Sequence, residues 1–299
     1  MTEKQFPKNT NDDGSKLSAE AEEYLAKRDV NTAVPITTPD LSDPAEVLRW
    51  RKEVNSMWGE EDDPNCPHIE AEIADVPCLI AGPDDAPLVV YAHGGGYLLG
   101  SAEVAIPITA RLAHNLRVVS VNYRMAPTHP HPHGLNDLHN VVKQISKAGR
   151  EFAIAGDSAG ASLALAAAIR CRLSKELNMK AVVLLSPHLD HSLPTGVGSQ
   201  AAMLDAMSKA HLSGTPAEDR EASPVNGKID GLPPVLIQIA ANERSLSSAQ
   251  KLIERIGTSG GVAELMIWES MWHAWHYHHI PEADRALAHA ATFITSRMS

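Results

Sequence analysis

From about residue 68 onward the chain alternates short runs of β-branched and apolar residues with longer helical patterns, and this alternation restricts its possible folds most strongly. Parallel strands need a long crossover between them, and a helix usually provides it, so the pattern is typical of a parallel sheet covered on both faces. We predict strands over residues 87–92, 117–123, 151–156, 181–186, 234–240 and 263–269. The chain is therefore expected to have an α/β fold.

Two earlier runs, 68–73 and 76–81, lie close together in the chain. Such a short connection joins antiparallel strands, because a parallel pair would need a crossover of a dozen or more residues. The complete sheet is therefore predicted to be mixed, mostly parallel and about eight-stranded, with helices on both faces.

The segments outside this pattern predict a helical cap. We assign residues 1–60, a polar start followed by helical patches and proline-rich breaks, to an N-terminal segment with cap helices. Residues 61–299 form the main domain in this division. At about 190–225 glycines and prolines interrupt the alternation of strands and helices, and we expect a second cap piece to be inserted there.

Composition excludes several partners and locations. A length of 299 residues fits one main domain with a cap, and a formal charge of −11 argues against a nucleic-acid partner. No apolar stretch is long enough to predict a membrane span, and the polar start lacks the features of a secretion signal. Cys66, Cys78 and Cys171 have no paired spacing, so we interpret them as reduced thiols of a cytoplasmic protein.

The strongest motif of the chain, Gly156-Asp157-Ser158-Ala159-Gly160, stands where a predicted strand meets a predicted helix. It matches the pattern G-x-S-x-G, in which a serine on a sharp strand-to-helix turn is a nucleophile. Ser158 is therefore the candidate nucleophile. A glycine- and serine-rich turn with a purely structural role is the alternative that this motif alone leaves open.

Three successive glycines, Gly94, Gly95 and Gly96, follow the predicted strand 87–92. Backbone amides without side chains can approach a ligand closely, and in acyl transfer they can bind the oxygen of the tetrahedral intermediate. We predict an oxyanion hole from these glycines and the amide of Ala159, with Gly95 as the first choice. No phosphate-binding motif is present, which disfavours a phosphate loop, and a flexible structural turn is the remaining alternative.

These motifs together resemble the hormone-sensitive-lipase-like family of α/β-hydrolases, which includes bacterial carboxylesterases of the α/β-hydrolase fold-3 type. The similarity extends from about residue 87 to the C-terminus. Besides the serine motif it includes His93-Gly94-Gly95-Gly96-Tyr97, Tyr123-Arg124-Met125-Ala126-Pro127, Ser186-Pro187 and Met271-Trp272-His273. The resemblance implies an eight-stranded mixed sheet with a cap, activity on esters with short to medium acyl chains, no cofactor, no metal and frequent homodimers.

A serine hydroxyl is a poor nucleophile at neutral pH, so it needs a neutral imidazole as base and a carboxylate that orients the imidazole. His273 follows the last predicted strand, where α/β-hydrolases place the base, and it matches the family's segment except that Ser270 replaces a glycine. Glu243 follows the strand 234–240 and fits the chain order serine, acid, histidine. An ordinary solvated glutamate is the alternative for Glu243, and Asp190 is the second candidate acid.

Flexible methionines and flat aromatic rings suit an apolar acyl pocket, so Tyr97, Met203, Met207 and Trp272 are candidate substrate-binding residues. Core packing is an equally good interpretation of the methionines and the tryptophan.

Two histidine-rich runs, 129–133 and 276–279, could suggest a metal site. Alternating prolines in the first run send neighbouring histidines in different directions, and no cysteine or carboxylate stands at a familiar ligand spacing. We therefore expect no metal.

The sequence thus predicts a serine carboxylesterase that acts on a small-molecule ester through an acyl-enzyme. Two alternatives stay open. The same site could open lactones or remove an acetyl group from an amide, because a triad does not determine the leaving group. The fold could also serve a catalytically inactive ligand-binding protein.

Overall fold

One sheet of eight strands organises the chain in the computed structural model, which describes residues 17–31, 39–58, 66–173, 178–194 and 199–298. The strands follow one another across the sheet in the order β1-β2-β4-β3-β5-β6-β7-β8. Their bounds are β1 Ile69–Ile73, β2 Val76–Ala81, β3 Leu88–Ala92, β4 Arg117–Val121, β5 Phe152–Asp157, β6 Met179–Leu185, β7 Val235–Ala240 and β8 Ala263–Trp268. Each of the eight predicted runs overlaps one of these strands, although β5 ends one residue later and β6 begins two residues earlier than predicted.

The sheet is mixed, as the sequence predicted. β1 pairs antiparallel with β2, and β2 pairs antiparallel with β4, whereas every other neighbouring pair is parallel. Residues in β3 pair with both neighbours in register, so that Leu88 lies opposite Arg117 on one side and Phe152 on the other. The carboxyl ends of β3 and β5 therefore lie side by side, which brings the glycine loop next to the serine turn.

Eight α-helices are present in the described part of the chain. Their bounds are α1 Ala19–Asn31, α2 Pro44–Trp58, α3 Ile106–Ala113, α4 His133–Lys147, α5 Ser158–Leu173, α6 Ser199–Leu212, α7 Leu246–Thr258 and α8 Pro281–Thr295. Helices cover both faces of the sheet: α3 and α8 pack together on one face, and α4 and α5 pack together on the other. The α/β fold class is confirmed.

The core has two parts because successive strand residues point to opposite faces. In β3, Leu88 and Val90 belong to the hydrophobic cluster on the side of α4, α5 and α7. Val89 and Tyr91 belong to the cluster on the side of α3 and α8. All four side chains are at most 4% exposed, so both faces of this central strand are excluded from solvent.

The helices that the sequence assigns to a cap contact the rest of the described chain at separate places. Helix α1 is bound to α8 through Ser18, whose amide and hydroxyl each donate to the buried carboxylate of Glu282 at 2.8 Å. Helix α2 buries Val47, Trp50 and Val54 in the cluster on the α5 side. Helix α6 lies within the region, about 190–225, in which the second cap piece is predicted, and residues 195–198 of that region lie outside the described residues.

The division into a cap over residues 1–60 and a domain over 61–299 stays a prediction, and residues 1–16, 32–38 and 59–65 of it also lie outside the described ranges. Cys66, Cys78 and Cys171 are buried, and within the described ranges they form no disulfide. In the ranges that the structure describes, no helix has both the length and the apolar character that crossing a membrane requires.

Candidate active site

Ser158 stands at the turn between β5 and α5, with a positive φ of 50° that side-chain-bearing residues rarely adopt. Two glycines make this turn possible. A Cβ on Gly160 would lie 2.1 Å from the carbonyl oxygen of Ala92, and a Cβ on Gly156 would lie 2.6 Å from the backbone of Gly160. Helix α5 therefore starts in contact with the end of β3, and the serine side chain projects from the carboxyl edge of the sheet.

The side chains of Ser158, His273 and Glu243 form a continuous hydrogen-bonded chain. His273 Nε2 is 2.9 Å from Ser158 Oγ, and His273 Nδ1 is 2.5 Å from Glu243 Oε2. A carboxylate only accepts hydrogen bonds, so Nδ1 carries the proton and donates it to Glu243. In the neutral imidazole Nε2 is then free to accept a proton from the serine hydroxyl, which is the arrangement that a general base needs.

Two opposing influences act on His273. Desolvation disfavours its charged form, but the hydrogen bond and the charge of Glu243 outweigh this effect and raise the pKa of His273 above its usual 6.5. The imidazole is also half exposed, so a substrate can reach it. A base with a raised pKa takes up the serine proton more readily, and the imidazolium that forms is stabilised by the adjacent carboxylate.

Glu243 is held by two donors besides His273. The amide of Ala240 donates to its Oε1 at 2.9 Å, and the hydroxyl of Ser186 donates to the same oxygen at 2.8 Å. Asp190, the second candidate acid, accepts instead from the amide and hydroxyl of Ser192. The structure therefore brings Glu243, and not Asp190, to the histidine.

Sequence reasoning did not identify the role of Ser186. Its side chain is fully buried at the end of β6, and it also accepts a hydrogen bond of 3.0 Å from the amide of Ala274, the residue after His273. Ser186 thus joins the acid to the loop that carries the base. Its only signal in the sequence was the Ser186-Pro187 segment of the family resemblance.

The three loop glycines differ in what their amides do. The amide of Gly94 donates to Asp157 Oδ1 at 2.9 Å, so it is not available to an oxyanion. Within the part of the chain that the structure describes, the amides of Gly95 and Gly96 have no backbone acceptor. The amide of Ala159 lies in the first turn of α5, before the first intrahelical hydrogen bond, and is also available.

Asp157, beside the nucleophile, fixes the glycine loop by accepting a hydrogen bond from the amide of Gly94. Its Oδ1 accepts from the hydroxyl of Tyr91 at 2.7 Å, the amide of Gly94 at 2.9 Å and the hydroxyl of Tyr277 at 3.2 Å. Burial raises the pKa of Asp157 to about 6, although the three donors oppose this shift. The carboxylate points at backbone and phenol donors, which supports a structural role.

Two of the four candidate pocket residues, Tyr97 and Met207, lie at the glycine loop. Tyr97 belongs to this loop, and its ring stacks on His211 of α6 with the centroids 3.7 Å apart. Met207 covers Gly96, because a Cβ built on that glycine would lie 2.4 Å from the Met207 methyl group. Met203 is partly buried and packs against the hydrophobic cluster to which Tyr97 and Met207 belong.

Trp272 does not join these residues. Its indole stacks on Tyr24 of α1 with the ring centroids 4.4 Å apart, and it belongs to the cluster on the opposite side of the sheet. The expectation that Trp272 lines a substrate pocket therefore needs correction. Adjacent residues in a loop point in different directions. Here the side chain of His273 faces Ser158, whereas the indole of Trp272 packs against α1.

The histidine-rich runs form no metal site in the described ranges, where no three potential ligands converge. His276 is buried completely and its Nε2 lies 3.1 Å from Gln238 Oε1. His133 instead lies at the start of α4, with Nδ1 2.8 Å from the carbonyl of Pro130. Both side chains have local structural partners.

Comparison with known proteins agrees with this geometry. A family model described as alpha/beta hydrolase fold matches residues 89–277. An esterase from Acinetobacter venetianus is 31% identical over 231 residues, which cover 70% of this chain and 75% of that protein. An acetyl-hydrolase from Streptomyces hygroscopicus is also 31% identical, over 226 residues that cover 70% of this chain and 76% of the relative.

Solved structures are similar over almost the whole chain. A crystal structure of a hormone-sensitive lipase from a metagenome library superimposes with a TM-score of 0.84 at 25% identity, covering 95% of this chain and all of the other. The glycine loop, serine turn and histidine loop all lie within the region that the family model matches.

Proposed function

This chain belongs to the α/β-hydrolase family, among its hormone-sensitive-lipase-like esterases, and on that premise we propose that it hydrolyses carboxylic esters through a Ser158-His273-Glu243 triad. The observation that carries the proposal is the continuous hydrogen-bonded chain from Ser158 Oγ through the imidazole to Glu243 Oε2. The esterase among the relatives supports the reaction class.

In the first step Ser158 Oγ attacks the ester carbonyl while His273 Nε2 takes the hydroxyl proton. The carbonyl oxygen becomes an oxyanion, and the amides of Gly95, Gly96 and Ala159 are the donors proposed to bind it. The imidazolium then gives its proton to the leaving alcohol as the carbon–oxygen bond breaks. The product of this step is an ester between the acyl group and Ser158.

In the second step a water molecule attacks the acyl-enzyme. His273 takes a proton from this water and returns it to Ser158 Oγ when the acid product leaves. Glu243 stays ionised in both steps and stabilises the imidazolium. The three residues of the triad are already within hydrogen-bonding distance of one another, so no rearrangement of the triad is needed.

The test of the nucleophile is Ser158→Ala, with Ser247→Ala as the control because Ser247 is an exposed serine at the start of α7. We expect Ser158→Ala to abolish hydrolysis of a chromogenic 4-nitrophenyl ester and Ser247→Ala to retain it. An organophosphate should add its mass to Ser158 in the wild type. Wild-type rates in Ser158→Ala, or labelling at another residue, would overturn the assignment. Absence of both turnover and labelling in the wild type would instead favour a non-catalytic binding protein.

The acyl group is proposed to lie against Tyr97, Met203 and Met207, beneath helix α6. The contact between Met207 and Gly96 supports this, since it covers the predicted oxyanion loop with an apolar, adaptable side chain. Met207→Ala should shift the preferred acyl chain of 4-nitrophenyl esters to greater length. An unchanged chain-length profile would remove Met207 from the pocket.

One alternative reaction has a specific observation in its favour, because a relative is an acetyl-hydrolase. The same triad could remove acetyl groups from amides or esters. A panel of 4-nitrophenyl acetate, butyrate and octanoate, an N-acetyl anilide and a lactone distinguishes these reactions by their kcat/KM values. The homodimer and the cytoplasmic location expected from the sequence also stay predictions, and sedimentation would test the first of them.

A further inference from the structure

Three side chains that take no part in the proton transfers lie near the serine turn: the phenol of Tyr97, which is also proposed to contact the acyl group, the imidazole of His188 and the guanidinium of Arg244. His188 is adjacent to the serine turn, because its amide donates to the carbonyl of Ser158 at 3.1 Å. Its own carbonyl accepts from the hydroxyl of Ser162, one turn into α5. The backbone of His188 is therefore hydrogen-bonded to Ser158 in the turn and to Ser162 in α5, which fixes the position from which its imidazole extends.

Arg244 follows the proposed acid and reaches His188. Its Nη2 is 3.3 Å from His188 Nδ1. A guanidinium can only donate, so Nδ1 is the acceptor and the proton of the neutral imidazole lies on Nε2. Burial, His191 and Arg244 all lower the pKa of His188, which keeps this ring neutral. His188 therefore presents an Nε2–H donor while it orients the guanidinium.

Tyr97 supplies a third donor. Its side chain is only 4% exposed, yet its hydroxyl has no hydrogen-bond partner among the described residues. The nearby hydroxyl of Ser162 donates its own proton to the carbonyl of His188, so toward the phenol it can only accept. A carboxylate oxygen is a stronger acceptor than a serine hydroxyl, so a substrate that brings a carboxylate would gain the phenol as a donor.

The ring of His191 connects these groups, because its centroid lies 5.3 Å from that of Tyr97 and 4.8 Å from that of His188. The negative charge of Asp205 in α6 also attracts Arg244. The hydrogen bond that Arg244 makes with a described side chain, however, goes to the neutral ring of His188. Among the described residues the guanidinium makes this one hydrogen bond, which leaves its other N–H groups available to a ligand there. The neighbouring carboxylates are already engaged, Glu243 by His273 and Asp157 by its three donors.

We propose that Tyr97, His188 and Arg244 form a subsite for a carboxylate carried by the substrate, so that the preferred esters are anionic. This inference rests on the proposed esterase function and specifies its substrate class. Two neutral donors and one cation match a carboxylate, which accepts several hydrogen bonds and carries one negative charge. The subsite lies beside the turn of Ser158, so the carboxylate of the substrate would lie a short distance from the ester carbonyl that reacts.

The test compares matched pairs of esters by pH-stat. On the acyl side, mono-4-nitrophenyl glutarate is compared with 4-nitrophenyl 5-methylhexanoate, which has methyl groups in place of the two carboxylate oxygens. On the alcohol side, 4-(butanoyloxy)benzoate is compared with its methyl ester. The readout is the ratio of kcat/KM for the anionic ester to kcat/KM for the neutral one, so that a general loss of activity cancels.

We expect Arg244→Gln to lower this ratio about tenfold in one pair, which identifies the side of the substrate that carries the charge. Arg244→Lys should keep more of the ratio than Arg244→Gln, and added salt should lower the ratio of the wild type. Arg285→Gln is the control, because it removes one positive charge from an exposed position on α8. The ratio in this variant should equal that of the wild type.

Ratios that stay within twofold of the wild type in Arg244→Gln, for both pairs, would overturn the subsite while leaving the esterase function intact. An equal loss in Arg285→Gln would also overturn it, because the effect would then come from net charge alone. Failure of the esterase function itself looks different: neither member of either pair would be hydrolysed by the wild type.

Discussion

The hydroxyl of Ser186 donates a hydrogen bond of 2.8 Å to Glu243 Oε1 and thereby links the end of β6 to the proposed catalytic carboxylate. The same oxygen atom of Ser186 accepts from the amide of Ala274 at 3.0 Å. One buried side chain therefore positions both the acid and the loop of the base. The relationship explains how Glu243 is held although polar residues, Asn242 and Arg244, flank it in the sequence.

Replacing Ser186 by alanine should lower kcat about tenfold with a smaller change in KM. A hydrogen bond to a charged group contributes about 1.5–3 kcal/mol, and the remaining bond from the amide of Ala240 retains part of the alignment. Steady-state kinetics on a neutral ester measures this. Ser120→Ala is the matched control, because Ser120 is equally buried and its hydroxyl has no partner in the described residues. A loss of the same size in both variants would contradict a specific role for Ser186.

The pH dependence of kcat/KM should report His273. The imidazole must be neutral to accept the serine proton, so activity is expected to rise with pH through an apparent pKa above 6.5. Glu243 is the main cause that raises this pKa. Glu243→Gln should therefore move the rise to lower pH and reduce the plateau by about 10²–10⁴-fold.

Asp190→Asn is the control for this experiment, because Asp190 is a buried carboxylate bonded to Ser192 and not to the histidine. Its profile should coincide with that of the wild type. A shift in Asp190→Asn without one in Glu243→Gln would reverse the assignment of the acid.

Asp157 should make the protein less stable as the pH rises from 4 to 6. Its folded-state pKa is raised to about 6 from 3.8, so the folded protein binds this proton more tightly than the unfolded chain, and the advantage disappears as the carboxyl ionises. The difference in free energy of unfolding between the wild type and Asp157→Asn should therefore decline by about 2–3 kcal/mol over this window. Urea denaturation at several pH values measures it, and parallel curves would contradict the raised pKa.

Asp157→Ala should be less stable than Asp157→Asn. The alanine leaves the phenols of Tyr91 and Tyr277 and the amide of Gly94 without their acceptor, whereas the amide oxygen of asparagine can still accept. We expect a difference of at least about 2 kcal/mol in the free energy of unfolding. Equal stability of the two variants would argue that water replaces the carboxylate.

Gly160→Ala should destabilise the protein by about 3 kcal/mol or more, because the new Cβ would stand 2.1 Å from the carbonyl oxygen of Ala92 in the backbone of the sheet. Gly257→Ala provides the opposite control. That glycine lies in α7 with nothing within 4 Å of a built Cβ, and the change should stabilise the helix by up to about 1 kcal/mol. Thermal or urea denaturation distinguishes the two, and a tolerated Gly160→Ala would mean that α5 can move away from β3.

Much of the fold was predictable from local patterns. The positions of β3 and β5 followed from short apolar runs before glycine motifs, since a buried parallel strand must be apolar on both faces. The candidates Ser158, Glu243 and His273 followed from their places after strands, because the carboxyl ends of parallel strands share one edge. Element order and chain position were sufficient for these features.

Features that depend on the direction of individual side chains were not predictable. Sequence reasoning put Gly95 first but kept Gly94 among the oxyanion glycines, and only the structure shows that Asp157 accepts the hydrogen bond of the Gly94 amide. It expected Trp272 in the pocket because a flat aromatic ring suits an apolar substrate, whereas the indole stacks on Tyr24 of α1. In both cases adjacent residues share a motif and have different environments.

The sequence by itself determined the alternation of strands and helices, the glycines that the serine turn requires and the candidate residues, because each depends on the steric and apolar character of a short segment. Only the tertiary structure decided which carboxylate meets His273, how Ser186 joins the acid to the base, and which donors surround the nucleophile. Those contacts join residues up to 115 positions apart, as between Ser158 and His273, and their distances depend on the packing of the whole sheet.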